Sequence, residues 1–346
     1  MSFRVLVTVP LPTKARSLLE RSGAEIVYPS RFHALGDENS AAFVLEAGLK
    51  TEEALAILKR EKPVDAIFTT LICKINKEIL DTAGPQLKVV STVSVGYDHI
   101  SLDECWTRGI LVGHTPGVLS DSTADMAITL CLAAGRRIPE ARQAVLDGSW
   151  GDWRPLWMCG MDLHHATVGI VGLGRIGQIV AKRLKAFDCN LIYSDVIRNE
   201  AAEKEFGLHY VDFDDLLQRA DFVLPHIPLL PETRKLFNLK TFKKMKKSAI
   251  FVNTSRGPVC DMDDLYTALK TGEIAAAGLD VTDPEPLPPS HPLLTLPNCL
   301  IVPHVASASI RTRLDMFDLA VRNTIAAING KPLPSEVKPP SAKSKL

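Results

Sequence analysis

The sequence feature that most constrains the fold is a glycine-rich turn between an apolar segment and a helical one. Residues 167–171 (TVGIV) have the pattern of a buried β-strand. Gly172, Gly174 and Gly177 follow in a Gly-x-Gly-x-x-Gly pattern, and residues 178–187 then have helical spacing. In such a unit the first glycine permits a tight turn, the second lets the backbone approach a pyrophosphate, and the third lets helix and strand pack closely. The helix N-terminus adds N–H donors and a positive dipole end.

An acidic residue after the next predicted strand, residues 190–194, bears on the choice of cofactor. Asp195 is placed where a carboxylate accepts hydrogen bonds from the adenosine ribose hydroxyls. Because a carboxylate repels a 2′-phosphate, NAD(H) is favoured over NADP(H). Arg198 could turn toward a phosphate, so NADP(H) stays possible. The alternative is a glycine turn without a ligand, and the combination of strand, helix and carboxylate argues against it.

The rest of the sequence alternates short apolar segments with helical ones, which predicts parallel α/β sheets. Strands are predicted at 4–9, 25–28, 64–69 and 87–92, and then at 167–171, 190–194, 222–224, 249–253, 276–280 and 300–302. The second series predicts six strands in the doubly wound order of dinucleotide-binding folds. Residues 30–50 are predicted to be a loop with a short helix.

We therefore predict an α/β fold of two doubly wound parallel-sheet domains, one flavodoxin-like and one of the Rossmann type. The first domain comprises residues 1–117 and is completed by 305–346, which include a helix at 310–329. The second, dinucleotide-binding domain comprises residues 118–304 and is inserted into the first.

Charge and composition narrow the class of partner. Lys and Arg total 40, as do Asp and Glu, so the formal net charge is zero. Proteins that bind nucleic acid or anionic membranes usually carry a basic excess, and a small-molecule partner is therefore favoured. No apolar run approaches the roughly 18 residues of a membrane span, and the N-terminal segment lacks a signal-peptide core. The seven cysteines form no CxxC pair, so neither a disulfide framework nor a metal site is expected.

Three charged residues follow successive predicted strands and are candidates for catalysis. Arg256, Glu285 and His304 come after the last three strands of the second series. Catalytic residues of doubly wound folds collect outside the carboxyl ends of the strands, so we expect the three to converge.

This set suits the reduction of a 2-keto acid, which needs a hydride and a proton. His304 could supply the proton, because imidazole titrates near physiological pH. A neighbouring Glu285 would favour the imidazolium and orient it. Arg256 could hold the substrate carboxylate and keto oxygen with its forked donors. Taken singly, each has a structural alternative: a histidine hydrogen bond, a solvated loop carboxylate or a salt bridge. Taken together beside a nucleotide motif, they favour catalysis.

Four stretches carry a family resemblance that extends over nearly the whole chain. VGLGRIG (171–177), NTSRG (253–257), LDVTDPEPL (279–287) and PHVASAS (303–309) resemble the D-isomer-specific 2-hydroxyacid dehydrogenases. The resemblance implies a discontinuous substrate domain, an inserted NAD domain, and a homodimer with its active site in the interdomain cleft. It also implies a 2-keto or 2-hydroxy acid as the small-molecule partner.

The resemblance assigns roles to individual residues. It implies that Arg256 binds the substrate and that Glu285 and His304 form an acid–base pair. The further substrate contacts that it implies are Ser94, Val95, Gly96, Ser307 and Trp157. The cofactor contacts that it implies are Thr123, Gly172, Gly174, Arg175, Ile176, Gly177, Asp195, Pro228, Thr254 and Asp280. Residues 94–96 could instead form an ordinary turn between a strand and a helix. Thr123 could be a small polar residue of a helix that contacts no ligand.

A tryptophan-rich segment, WRPLWMCG (153–160), resembles the glyoxylate/hydroxypyruvate reductase branch of this family. In that branch a tryptophan matching Trp157 reaches the partner subunit's active site and limits substrate size; the alternative is a dimer-interface aromatic. The implied activity is NAD(P)H-dependent reduction of glyoxylate or hydroxypyruvate to the D-2-hydroxy acid. NADPH-preferring reductases carry an arginine where this chain has Asp195-Val196, which argues against NADPH preference.

Two other functions remain open. One is an NAD(H)-sensing interaction protein of the corepressor type, which shares this fold. The other is a dehydrogenase for another 2-hydroxy acid, such as D-3-phosphoglycerate or 2-ketogluconate.

The C-terminal segment, residues 331–346, is rich in proline and lysine and is predicted to be disordered. It finishes with Ser344-Lys345-Leu346, which matches a receptor-read peroxisomal address. The tripeptide predicts a peroxisomal import receptor as partner and the peroxisome as location. The alternatives are a chance ending and a cytoplasmic protein.

Overall fold

A computed structural model describes residues 2–29, 32, 47–61 and 63–339. The chain divides into two compact units, one of Met1–Leu119 with Ser309–Leu346 and one of Ser120–Ala308. Most of the loop and short helix predicted at 30–50 lies outside the described residues, as does the tripeptide Ser344-Lys345-Leu346. The assignment of residues 1–117 with 305–346 as a substrate domain stays a prediction.

Strands and helices alternate along both units. In chain order the described strands are β1 (Phe3–Val7), β2 (Ala24–Val27), β3 (Ala66–Thr69), β4 (Val89–Thr92), β5 (Leu111–Gly113), β6 (Thr167–Val171), β7 (Asn190–Ser194), β8 (His209–Tyr210), β9 (Phe222–Pro225), β10 (Ile250–Asn253), β11 (Ala276–Leu279) and β12 (Cys299–Ile301). The described helices are α1 (Thr13–Arg21), α2 (Thr51–Arg60), α3 (Lys77–Ala83), α4 (Leu102–Thr107), α5 (Ser120–Gly135), α6 (Ile138–Leu146), α7 (Arg175–Leu184), α8 (Glu200–Phe206), α9 (Phe213–Arg219), α10 (Leu239–Phe242), α11 (Met262–Thr271) and α12 (Ile310–Ile328).

The described part of the first unit is built on a five-stranded parallel sheet in the order β2-β1-β3-β4-β5. This is the flavodoxin-like order, and the predicted fold of this part is confirmed. The fifth strand, β5, was not predicted. It pairs with β4 in the register Val89 to Leu111.

The prediction of a disordered C-terminal segment is wrong for residues 331–339. The Val337 N–H donates to Val112 O of β5 at 2.8 Å, and Trp106 Nε1 donates to Val337 O at 3.4 Å. Val337 is also buried against the core of the first unit. Proline and lysine keep this segment out of regular structure, but its few apolar side chains still pack against the unit.

The second unit has a seven-stranded parallel sheet among its described residues, in the order β12-β11-β10-β9-β6-β7-β8. The Rossmann class is confirmed, but the predicted count of six strands is wrong. The additional strand is β8, a two-residue segment that pairs with β7 through Ile192 and His209. Both of its side chains are exposed, so no apolar pattern marks it in the sequence.

Helix α5 packs against α7 and against β10 and β11 in the second unit. Its many small side chains permit a close approach, and Ala124 and Ala127 are fully buried. The approach is close at Gly278 of β11, where an added Cβ would lie 3.0 Å from the Leu130 Cβ. Within the described ranges, no helix has both the length and the apolar character needed to span a membrane.

Candidate active site

The glycine turn after β6 has the geometry that its sequence predicts. Gly172 has φ +93°, and a Cβ there would lie 2.8 Å from His226 O. At Gly177 a Cβ would lie 2.3 Å from Gly172 O. Helix α7 begins at Arg175, three residues earlier than predicted, so Gly177 lies within its first turn. The backbone therefore excludes a side chain at both glycines.

Gly174 marks the open side of this turn. It is exposed, and beyond its neighbours along the chain no described atom lies within 4 Å of the place where its Cβ would be. No side chain of the described residues caps the N-terminus of α7, where Arg175 and Ile176 are the first residues. Open space in front of uncapped N–H groups is what a pyrophosphate requires.

Asp195, directly after β7, contacts the glycine turn itself. Its Oδ2 accepts a hydrogen bond from the Leu173 N–H at 2.6 Å. The carboxylate thus ties the end of β7 to the turn after β6. The predicted contact between Asp195 and a ribose stays a prediction.

Two buried polar atoms support the fit of a nicotinamide dinucleotide in this unit. Thr254 Oγ1, after β10, and His226 Nε2, after β9, are buried without a hydrogen-bond partner among the described residues. Burial lowers the pKa of His226 to about 4, so this histidine is neutral at physiological pH. Buried polar atoms without partners carry a cost that a ligand would relieve. Together with the turn, they show that the residues present fit the cofactor.

The predicted acid–base pair is in direct contact. His304 Nδ1 is hydrogen-bonded to Glu285 Oε1. The imidazole is 27% exposed and the carboxylate 40%, so both remain accessible. The bond fixes the ring through Nδ1 and leaves Nε2 on the opposite side of the ring for another partner.

The backbone at His304 has a left-handed conformation, with φ +51°. Asp280 supports the following residues, because its carboxylate accepts N–H bonds from Val305 at 2.7 Å and from Ala306 at 3.0 Å. Burial raises the pKa of this carboxyl, and the two N–H bonds oppose that effect. Asp280 therefore shapes the loop that carries His304 and Ser307. Its predicted contact with the cofactor stays a prediction.

Arg256 lies in a turn that Asn253 organises. The Asn253 side chain donates to Arg256 O at 2.9 Å and accepts from the Ser255 N–H and hydroxyl at 2.9 and 2.7 Å. Asn253 is fully buried at the end of β10. Sequence reasoning did not assign it a role, although a buried strand that ends in asparagine beside a charged turn was a usable signal.

The Arg256 turn lies against the loop that carries Glu285. A Cβ on Gly257 would come within 1.8 Å of Thr282 O, so the two backbones are in contact there. The strands before these loops, β10, β11 and β12, are neighbours in the sheet. The structure thus brings the loops of Arg256, Glu285 and His304 together at one edge of the second unit.

The predicted substrate loop, Ser94 to Gly96, belongs to the first unit and follows β4. The Ser94 hydroxyl donates to Gly96 O at 2.7 Å, and the Thr115 N–H donates to Ser94 O at 2.8 Å. His114 Nδ1 lies 2.9 Å from Val95 O. The loop is thus held through its carbonyl oxygens.

The remaining predicted contacts are in the second unit. Thr123 is buried in α5, and Pro228 is exposed shortly after β9. The Trp157 ring is covered by the Arg154 guanidinium at 4.3 Å from its centroid. In the part of the chain that is described, no group of three or more His, Cys, Asp or Glu is arranged to hold a metal ion.

Comparison with known proteins gives a consistent result. Residues 128–306 match the family model described as D-isomer specific 2-hydroxyacid dehydrogenase, NAD binding domain. The human protein named glyoxylate reductase/hydroxypyruvate reductase is 45% identical over 97% of this chain and 98% of its own length. The mouse protein of the same name is 50% identical over 78% of this chain and 83% of its own.

A solved structure agrees with these relatives in fold. A crystal structure of a Thermus thermophilus protein superposes with a TM-score of 0.84 at 40% sequence identity. The match covers 97% of this chain and 100% of the other.

Proposed function

Because the chain belongs to the D-isomer-specific 2-hydroxyacid dehydrogenase family, and is thus an oxidoreductase, we propose that it reduces glyoxylate or hydroxypyruvate to the D-2-hydroxy acid. The observation that carries this proposal is the hydrogen bond between His304 and Glu285 beside the Arg256 turn. The human and mouse relatives, which are named for these two substrates, support the choice of substrate.

The chemistry requires that a hydride and a proton add across the keto group. A bound nicotinamide supplies the hydride to the carbonyl carbon. His304 donates a proton from Nε2 to the keto oxygen and becomes neutral. Glu285 holds the imidazole ring through Nδ1, so that Nε2 is left for the substrate. Arg256 binds the substrate carboxylate and keto oxygen with its planar fork of donors.

We propose NADH as the preferred cofactor, with NADPH as a poorer alternative. The Asp195 carboxylate lies at the end of β7, where the adenosine ribose of a dinucleotide on the glycine turn is expected. The negative charge of this carboxylate repels a 2′-phosphate on that ribose, which disfavours NADPH.

The test is turnover with purified full-length protein, NADH and a panel of 2-keto acids, followed by nicotinamide absorbance. Glyoxylate and hydroxypyruvate should be the best substrates, ahead of 3-phosphohydroxypyruvate and 2-ketogluconate. If the protein preferred 3-phosphohydroxypyruvate or 2-ketogluconate, that acid would be the substrate in place of glyoxylate and hydroxypyruvate. Absence of turnover with every acid would favour the NAD(H)-sensing interaction protein, which the comparisons do not favour.

We also propose that the protein is a homodimer in which Trp157 limits the substrate space of the partner subunit. An apolar surface supports this. Several large side chains of α6 and the segment after it are exposed by half or more, namely Ile138, Val145, Leu146, Trp150, Trp153 and Leu156. Large apolar side chains that are exposed together in one part of the chain are typical of protein interfaces.

Charge placed in this surface is expected to break the dimer. Light scattering should give the wild type about twice the chain mass of 37.8 kDa, and the variant W153R/L156R the mass of one chain. The matched control is L294R, because Leu294 is also half exposed but lies outside this surface. A monomeric wild type would contradict the proposal.

We further propose import into peroxisomes through Ser344-Lys345-Leu346, which fits the receptor-read signal. A fluorescent reporter that ends in residues 331–346 is expected to enter peroxisomes, and the same reporter without Leu346 to stay in the cytoplasm. Equal distribution of the two reporters would contradict the proposal.

A further inference from the structure

Arg198, in the segment between β7 and α8, is held by a carboxylate of α8. Its Nε donates to Glu203 Oε1 at 2.9 Å and its Nη2 to Glu203 Oε2 at 2.9 Å. Both oxygens of the carboxylate are thus engaged by the guanidinium fork, which is the strongest geometry for such a pair. Arg198 comes three residues after Asp195, on the segment that leaves the carboxyl end of β7.

The position of Glu203 is fixed from the inside of the unit. The hydroxyl of Tyr193, a fully buried residue of β7, donates to Glu203 Oε1 at 2.8 Å. The same hydroxyl accepts the Asn199 N–H at 2.8 Å. The Glu203 side chain is only 15% exposed, whereas that of Arg198 is 57% exposed. The buried Tyr193 therefore positions the Glu203 carboxylate, and this carboxylate positions the exposed Arg198 guanidinium.

The charge state of the pair is stable around neutral pH. The hydrogen bonds from Arg198, with that from Tyr193, lower the pKa of Glu203 to about 2. The carboxylate is therefore ionised at neutral pH, where it neutralises the charge of Arg198.

The pair is also connected to the residue that favours NADH. The Arg198 guanidinium lies 5.9 Å from the centroid of the Tyr210 ring. The Tyr210 hydroxyl in turn donates to Asp195 O at 3.4 Å. The Arg198 guanidinium thus lies on the side of this segment that faces α8 and β8.

We propose that Glu203 is a specificity-determining residue, which disfavours a 2′-phosphorylated dinucleotide by occupying and neutralising Arg198. A 2′-phosphate is doubly charged and best recognised by a guanidinium fork. In this protein the guanidinium closest in sequence to Asp195 already pairs with a carboxylate through its Nε and Nη2. Two residues then favour the dinucleotide with a free 2′-hydroxyl. Asp195 repels a 2′-phosphate, and Glu203 keeps the Arg198 guanidinium from binding it. The inference rests on the proposed binding of a dinucleotide at the glycine turn.

The test measures dissociation constants of NADH and NADPH at low ionic strength by fluorescence titration. The variant E203Q keeps the size of the side chain and its acceptor for Tyr193 but removes the charge. We expect it to bind NADPH about tenfold more tightly than the wild type, with NADH affinity within about twofold. The control is E205Q, which makes the same charge change on an exposed residue of α8.

Two further variants show whether the effect passes through Arg198. The double variant E203Q/R198A should lose the gain in NADPH affinity. R198A alone should leave NADPH affinity within about twofold of the wild type, because Arg198 does not serve the phosphate there. This variant keeps the test decisive if E203Q folds poorly.

The outcomes separate this inference from the proposed function. An unchanged ratio of affinities in E203Q, a gain that persists without Arg198, or a tenfold loss of NADPH affinity in R198A would each overturn the role of Glu203. If the wild type bound neither dinucleotide, the proposed function itself would fail.

Discussion

Replacement of His304 by alanine is expected to lower kcat for hydroxypyruvate by about 10²–10⁴-fold, the usual contribution of a positioned general acid. The imidazole is the group that the structure holds against Glu285, and alanine leaves no proton donor at that place. NADH affinity should change little, because the glycine turn and Asp195 are untouched. Steady-state kinetics and a fluorescence titration check the two parts separately.

The matched control for this variant is H209A, since His209 is an exposed residue of the edge strand β8. It should retain wild-type kcat. Near-normal turnover by H304A with an unchanged pH profile would show that another group supplies the proton.

Replacement of Arg256 by lysine is expected to lower kcat/KM by about 10–10²-fold, with most of the change in KM. Lysine keeps the charge but not the planar fork that binds a carboxylate and a keto oxygen together. One lost hydrogen bond to a charged group corresponds to about 1.5–3 kcal/mol, and each 1.4 kcal/mol to about a factor of ten.

The variant R234K makes the same change at an exposed arginine outside the three catalytic loops and should behave as the wild type. If R256K retained the wild-type KM for hydroxypyruvate, the arginine would not be the substrate-binding group.

Parts of the fold with a strong local pattern were predictable from the sequence. The bounds of β6 and β7 were predicted residue for residue, because both strands are apolar and end at turn-forming residues. The short strands β5 and β8 were missed. Two or three residues carry no periodic pattern, and such strands exist only because a longer neighbour offers backbone groups for pairing.

Much of the candidate site was also predictable, because strand order in a parallel sheet determines which loops are neighbours. The contacts that position the site residues were not predictable from the sequence. The positive φ of His304 and the two N–H bonds to Asp280 depend on how the ends of β11 and β12 meet. The pairing of Arg198 with Glu203 likewise depends on Tyr193, whose buried hydroxyl is not evident from sequence spacing. Residues 331–339 were predicted to be disordered because their composition hides the contact of Val337 with β5.

The path of the hydride can be followed with a deuterium label. Purified protein is given hydroxypyruvate and NADH that carries deuterium at the transferable position of the nicotinamide. The wild type should form D-glycerate with deuterium at C2, and H304A should form it much more slowly. Formation of L-glycerate, or of product without deuterium, would contradict the proposed function.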